Sequence, residues 1–154
     1  MGSEKNSPPD DTHSSGKRSR HAQRERVVEF LYMWENQRDT DVKELQEWFF
    51  EEKKIRPADN EWAIRYMESI TARCDQLDEQ VAAKAQNWSF QRIAKVDLAI
   101  LRLAIYELLF QTDVPPVVAI NEAIELSKRY STPEAKRFIN GILDKIVKEK
   151  WESR

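Results

Sequence analysis

Apolar residues recur at helical spacing along most of the chain, and they are densest between Val96 and Phe110. At 100° per residue, the apolar side chains of this stretch cover two wide arcs and leave a narrow polar strip at Lys95 and Arg102. A helix that is apolar on almost every side belongs in the centre of a helical bundle. We therefore predict that residues 96–110 form the central helix of the fold.

Two acidic residues, Asp97 and Glu107, fall inside these apolar arcs. An unpaired buried carboxylate is costly, so each of them requires a partner within the fold, a helix terminus or a second molecule. The pattern alone leaves these possibilities open.

Helical periodicity predicts further helices on both sides of the central one. Ser19 and Asp41 are candidate N-caps of the first two helices, and Thr132 followed by Pro133 is a typical start for the last. Residues 58–86 keep helical spacing either as one long helix or as two that separate near residue 73.

One helix boundary and one apolar residue complete this prediction. The segment from Asn87 to Ser89 is expected to open the central helix, and the second helix is expected to bury Trp48. Runs of β-branched residues with period 2 are absent. The sequence therefore predicts an all-α protein, a compact bundle of six or seven helices joined by short links.

Length and composition narrow the class of protein. The chain has 154 residues, a formal net charge of −2 and one cysteine, Cys74. Its length fits one domain or two small subdomains, and a single cysteine excludes an internal disulfide and a cysteine-rich metal site. No apolar run reaches membrane-spanning length, and the N-terminus lacks the apolar core of a signal peptide. We expect a soluble, cytoplasmic protein without a cofactor or a bound metal.

The N-terminal region separates into a tail and a basic segment. Residues 1–18 are expected to form a disordered tail that ends in the start of a basic arm, and residues 19–150 to form the folded domain. Five cations lie within ten residues, against the single acid Glu25: Lys17, Arg18, Arg20, Arg24 and Arg26.

Two of these cations, Arg20 and Arg24, extend the apolar stripe of the first helix backwards. We therefore expect them to project past the end of the bundle. Cations in a first turn oppose the helix macrodipole, so this arrangement favours a binding patch for a polyanion. A solvated run of charge is the alternative.

Signatures of catalysis are missing from the sequence. It contains no glycine-rich phosphate loop, no nucleophile elbow and no His-Glu-x-x-His motif, and both histidines lie in or beside the basic N-terminal region. The expected class is therefore a binding protein rather than an enzyme.

Three blocks of sequence carry a family resemblance. They are residues 96–108 (VDLAILRLAIYEL), which are followed by Asp113-Val114-Pro115, then residues 118–128 (VAINEAIELSK) and residues 138–144 (FINGILD). In order and spacing these blocks resemble the bacterial transcription antitermination factors of the NusB family. The similarity covers about residues 19–149.

The resemblance implies an all-α fold of two helical subdomains, here about 19–86 and 87–150. It also implies a non-catalytic RNA-binding adaptor that pairs with the ribosomal protein NusE. Together the two proteins would hold boxA-type single-stranded RNA in nascent transcripts, chiefly of ribosomal RNA operons, within the antitermination complex with RNA polymerase. Family members are monomers or homodimers, and the sequence does not decide between these states.

The resemblance also implies site residues. In the family, the arginine-rich start of the first helix contacts RNA. The resemblance places these contacts at Arg18, Arg20 and Arg24, and we add the neighbouring Lys17 to the expected RNA-binding residues. Phe138, flanked by Lys136 and Arg137, occupies a family position near the RNA, where an exposed aromatic ring could stack on an unpaired base. Core packing is the other interpretation of Phe138. Asp97 matches an acidic position that the family uses toward NusE.

Two further hypotheses compete with this one. Some ribosomal RNA methyltransferases carry a NusB-like RNA-binding domain, and the chain could be that part of such an enzyme. Alternatively, it could be a structural helical protein whose surface serves only self-association. An assay of methyl transfer distinguishes the first hypothesis from a non-catalytic factor.

Overall fold

The computed structural model describes residues 19–152, and this part of the chain is helical, with no strand. Two 3-10 turns, Pro57–Asn60 and Phe90–Arg92, and a final π-helical turn, Lys148–Glu152, accompany the main helices. The α-helices in chain order are α1 (Arg20–Glu35), α2 (Val42–Lys53), α3 (Glu61–Ala72), α4 (Cys74–Lys84), α5 (Lys95–Phe110), α6 (Pro116–Tyr130) and α7 (Pro133–Val147). The predicted all-α class is confirmed, and Lys17 and Arg18 lie outside the described residues.

Local sequence signals set the starts of three helices. The hydroxyl of Ser19 accepts a hydrogen bond from the Ala22 N–H at 3.1 Å and caps α1. In the same way, Asp41 caps α2 and Thr132 caps α7. Because a side-chain cap satisfies backbone donors that the helix itself leaves unpaired, these starts could be predicted from sequence, and they are confirmed.

The chain divides into two compact units, and the first ends at Thr71. In this unit α1 packs against α2, and two buried glutamines bind the backbone of α3. The Ala63 N–H donates to Gln23 Oε1 at 2.9 Å, and Gln46 Nε2 donates to the Ile64 carbonyl at 3.3 Å. These contacts fix the first turns of α3 beside α1 and α2.

The second unit begins at Ala72 and is built around α5, against which α4, α6 and α7 pack. Every residue from Asp97 to Leu108 is buried, as expected of a central helix. The division between the units lies about fifteen residues before the boundary near residue 86 that the sequence analysis expected. The reason is that α4 contacts α5 and α7 and so groups with them.

Arg102 shows where the predicted polar strip is wrong, because its side chain is only 1% exposed. Its Nε donates to Asp78 Oδ1 and its Nη2 donates to Asp78 Oδ2, both at 2.8 Å. This two-point ion pair with α4 satisfies the guanidinium, so the arginine can lie inside the unit.

Two other local predictions are also wrong. Trp48 is 50% exposed, because the buried face of α2 passes through Leu45 and Phe49, and Trp48 points away from it. The central helix begins at Lys95 rather than at Asn87, since Ile93 and Ala94 have extended backbones that interrupt a continuous helix.

The structure also shows whether residues 58–86 form one helix or two. Arg73 separates α3 from α4, so residues 58–86 contain two helices. Among the helices of residues 19–152, none combines the length and the apolar character needed to cross a bilayer.

Candidate nucleic-acid interface

The first turns of α1 present two of the predicted cations, Arg20 and Arg24, in different environments. Arg20 is exposed to solvent, as expected. Arg24 is only 5% exposed, so the expectation that it projects past the bundle is wrong. The physical reason is the indole of Trp62 on α3, which lies against it.

Trp62 contacts both arginines. The Arg20 Cζ lies 5.0 Å from the centroid of the indole ring, and the Arg24 Cζ lies 5.2 Å from it. Both distances are within the range of a cation–π interaction. The indole also contacts Tyr66, with ring centroids 3.9 Å apart. We call Arg20, Arg24 and Trp62 the arginine surface.

Two acidic residues of α1, Glu25 and Glu29, contact side chains other than Arg20. Glu25 Oε2 lies 3.3 Å from His21 Nε2, and Glu29 Oε1 accepts a hydrogen bond from Arg26 at 2.9 Å. Lys53 on α2 also reaches Glu29 Oε1, at 3.1 Å. Because Arg20 is exposed, an anion in solvent can approach its guanidinium.

In the second unit, Phe138 lies at the edge of the buried stripe of α7. Ile139, Ile142 and Ile146 are buried, whereas Phe138 is half-buried. Its ring packs against Trp88, with centroids 5.3 Å apart and an interplanar angle of 59°. Phe138 therefore packs against Trp88 and still reaches the surface, and its contact with RNA stays a prediction.

Trp88 is 54% exposed, and with Phe138 it borders a surface depression. We call this depression the aromatic groove; its further lining residues include Lys84, Arg137, Gly141 and Lys145. A Cβ added at Gly141 would meet nothing within 4 Å, so the floor of the groove is open there. An aromatic surface beside cations is the kind of site that unpaired nucleobases occupy.

The cations around the groove differ in the protein groups that they contact. Lys84 Nζ lies 2.7 Å from Glu149 Oε1, and Lys145 Nζ donates to the Lys84 carbonyl at 3.0 Å. Lys136 and Arg137, in contrast, are exposed on the first turns of α7. The two predicted cations therefore face solvent, and so does Lys145.

Asp97 has an internal partner. It lies in the first turn of α5, is 8% exposed, and accepts a hydrogen bond from the Ser131 hydroxyl at 2.5 Å. Ser131 caps the end of α6. A carboxylate offers about four acceptor positions, so one hydroxyl does not saturate it. The partner within the fold is therefore present, and the role of Asp97 toward a second protein stays a prediction.

Sequence reasoning missed the two tryptophans that organise these surfaces. Helical spacing over residues 58–86 predicts only that Trp62 lies in a helix, and Trp88 falls in the segment expected to open the central helix. Polar neighbours such as Glu61, Asn87 and Ser89 were the signal that these indoles stand at the edge of the core. In residues 19–152 no group of three or more potential ligands is placed to hold a metal ion.

Comparison with known proteins identifies the family. A sequence model described as "NusB family" matches residues 21–148. This chain belongs to the NusB family. The resemblance carried by the three sequence blocks is confirmed, and so is the assignment to antitermination factors rather than enzymes.

Similar proteins support this membership. The transcription antitermination protein NusB of Methylacidiphilum infernorum is 37% identical over 85% of this chain and 92% of its own length. A structure of T. maritima NusB has a TM-score of 0.76 at 39% identity and covers 86% of this chain and 93% of that one. A crystal structure of NusB and NusE in complex with dsRNA has a TM-score of 0.73 at 27% identity. The match covers 84% of this chain and 96% of that one.

Proposed function

We propose that this NusB-family chain is a non-catalytic RNA-binding factor that, with a NusE-type ribosomal protein, holds boxA-type RNA in nascent transcripts. It would act in the cytoplasm, within the antitermination complex with RNA polymerase and chiefly on ribosomal RNA operons. The aromatic groove carries the proposal, because a half-exposed indole packed on a partly buried phenyl ring, beside the exposed Arg137, suits an unpaired base.

The arginine surface supplies the complementary chemistry. Arg20 is exposed, always charged, and able to bind a phosphate through two parallel hydrogen bonds. The predicted cations Lys17 and Arg18 precede it in the sequence and would extend the same positive region. Backbone phosphates are thus the expected ligand of this surface, and bases the expected ligand of the groove.

Asp97 is the proposed contact for NusE. Ribosomal proteins are usually basic, and a carboxylate with acceptor capacity beyond its Ser131 hydrogen bond can take a cation from a partner. The related complex of NusB with NusE and dsRNA supports this pairing as an expectation for the present chain.

The experiment is an RNA-binding titration with and without NusE from the same organism. The probes are a single-stranded boxA-type RNA, a scrambled strand of the same length, and the corresponding duplex. We expect the boxA strand to bind tightest and NusE to strengthen that binding. If about four phosphates are contacted, log affinity should fall with log salt at a slope near −3.

The decisive variant is Arg20→Ala with Arg24→Ala, which should weaken binding while circular dichroism stays helical. The matched control is Lys43→Ala with Lys128→Ala, which also removes two charges. These lysines are exposed and pair with Glu68 and Glu125, outside both surfaces. Equal binding of boxA and scrambled strands by the mixture with NusE, or an unchanged affinity in the arginine variant, would contradict the proposed function.

A further inference from the structure

We propose that Trp62 is a positioning residue for RNA binding: it holds the guanidinium of Arg20 toward a phosphate, and Arg24 acts as the buried support of that indole. The inference rests on the proposed function. It divides the two arginines into a phosphate ligand and a support, and it adds a residue on α3 to the RNA surface.

The exposure of the two arginines carries the first step. Both guanidiniums lie about equally far from the same indole, at 5.0 and 5.2 Å, yet Arg20 is exposed and Arg24 is 5% exposed. A phosphate needs an open approach to the donor N–H groups of an arginine. Only Arg20 of this pair offers one.

The position of Arg20 in its helix explains why it needs support. It is the first residue of α1, where the partial positive charge of the helix N-terminus disfavours a cation. A free arginine side chain also loses considerable rotamer entropy when it binds. Contact with the electron-rich face of an indole offsets the repulsion and orders the guanidinium before the RNA arrives.

The fold fixes the indole that would provide this support. The neighbouring Ala63 N–H is held by the buried Gln23 of α1, so the first turn of α3 is tied to the helix that carries both arginines. Tyr66, one turn later on α3, packs against the indole, with ring centroids 3.9 Å apart and an interplanar angle of 31°. Trp62 is therefore anchored on the protein side, and the arginine side is where RNA would approach.

The salt dependence of binding separates a phosphate ligand from a positioning residue. Losing a direct contact to single-stranded RNA reduces the magnitude of the salt slope by about 0.7, whereas losing a support lowers affinity at a nearly constant slope. We therefore expect Arg20→Ala to lower both affinity and slope. Trp62→Leu and Arg24→Met should each lower affinity about fivefold, with the slope of the parent.

Conservative and matched variants complete the experiment. Trp62→Phe keeps an aromatic face and should regain most of the affinity that Trp62→Leu loses. Arg38 is the control, because it is an exposed arginine 4.1 Å from the Trp34 ring at the other end of α1. Arg38→Ala should leave RNA binding unchanged. Thermal melting verifies that each variant is folded. If Trp62→Leu does not fold, Trp62→Phe and Arg24→Met provide the same test.

The inference is overturned if Trp62→Leu binds RNA like the parent, if Trp62→Phe is no better than Trp62→Leu, or if Arg24→Met reduces the salt slope as much as Arg20→Ala. Failure of the proposed function would look different. In that case the parent itself would not prefer boxA RNA, or Arg20→Ala would have no effect.

Discussion

The arginine surface and the aromatic groove use the same residue types in opposite arrangements. In the arginine surface, Trp62 is covered by Tyr66 and the two arginines, so the charge of Arg20 faces solvent. In the aromatic groove, the ring of Trp88 is itself 54% exposed and contacts Phe138. Exposure, rather than composition, distinguishes a surface suited to phosphates from one suited to bases.

This difference predicts different responses to salt. Variants that remove a phosphate contact should flatten the dependence of affinity on salt, because fewer counterions are released. Variants that remove a stacking ring should lower affinity at every salt concentration by the same factor. The difference between the two surfaces can therefore be tested by substitutions that affect stability, partner binding, charge and stacking separately.

The largest expected effect belongs to an arginine outside both surfaces. Arg102→Met should lower the free energy of unfolding by about 3–5 kcal/mol, because it leaves the Asp78 carboxylate without its two-point partner. Urea unfolding measures the loss. RNA affinity of the folded fraction should stay that of the parent, and a parallel loss of RNA affinity would show that arginine substitutions act through stability.

Asp97→Asn should have the next largest effect, on partner binding. The substitution keeps the shape of the side chain and removes its charge, so NusE affinity should fall by about 2–5 kcal/mol with little change in melting temperature. Calorimetric titration with NusE measures it, and RNA binding without NusE should not change.

Ser131→Ala is the matched control for Asp97. It removes the internal hydrogen bond but keeps the carboxylate, so it should cost about 1 kcal/mol of stability and leave NusE affinity nearly intact. If Asp97→Asn binds NusE normally and melts well below the parent, the carboxylate serves Ser131 alone.

The features of the fold that the sequence could predict are those determined by residues close together in the chain. The central helix follows from apolar periodicity, and the caps Ser19 and Thr132 follow from side chains that reach three residues ahead. The ion pair of Arg102 with Asp78 joins residues 24 apart. Periodicity could show that Arg102 interrupts an apolar face but not that a carboxylate on α4 would receive it.

The site shows the same limit. The basic cluster could be chosen from its local charge, and Phe138 from a resemblance that marked its position in the chain. The burial of Arg24 could not, since it depends on Trp62, which reaches α1 only through the packing of α3. The exposure of Trp88 likewise depends on the loop of residues 85–94, whose mixture of turns and extended residues no periodic pattern describes.

Phe138→Ala tests the groove. Base stacking is worth about 1–3 kcal/mol, so RNA affinity should fall by that order at an unchanged salt slope, with a modest loss of stability because Phe138 is only half-buried. Filter binding at several salt concentrations measures both quantities. A loss of about 3–5 kcal/mol in stability with full RNA binding would identify Phe138 as packing alone.

The smallest effects come from two tryptophans that are almost equally exposed, Trp88 at 54% and Trp48 at 50%. Trp88→Leu should weaken RNA binding by about 1 kcal/mol, because it removes one ring of the groove. Trp48→Leu should leave RNA binding unchanged, since its helical neighbours Glu44, Glu51 and Glu52 are exposed acids that repel phosphates. Both variants should change the free energy of unfolding by less than about 0.5 kcal/mol, as is usual at exposed positions. Equal losses of RNA affinity in the two variants would mean that any exposed indole binds RNA, and the distinction between the two surfaces would then rest on charge alone.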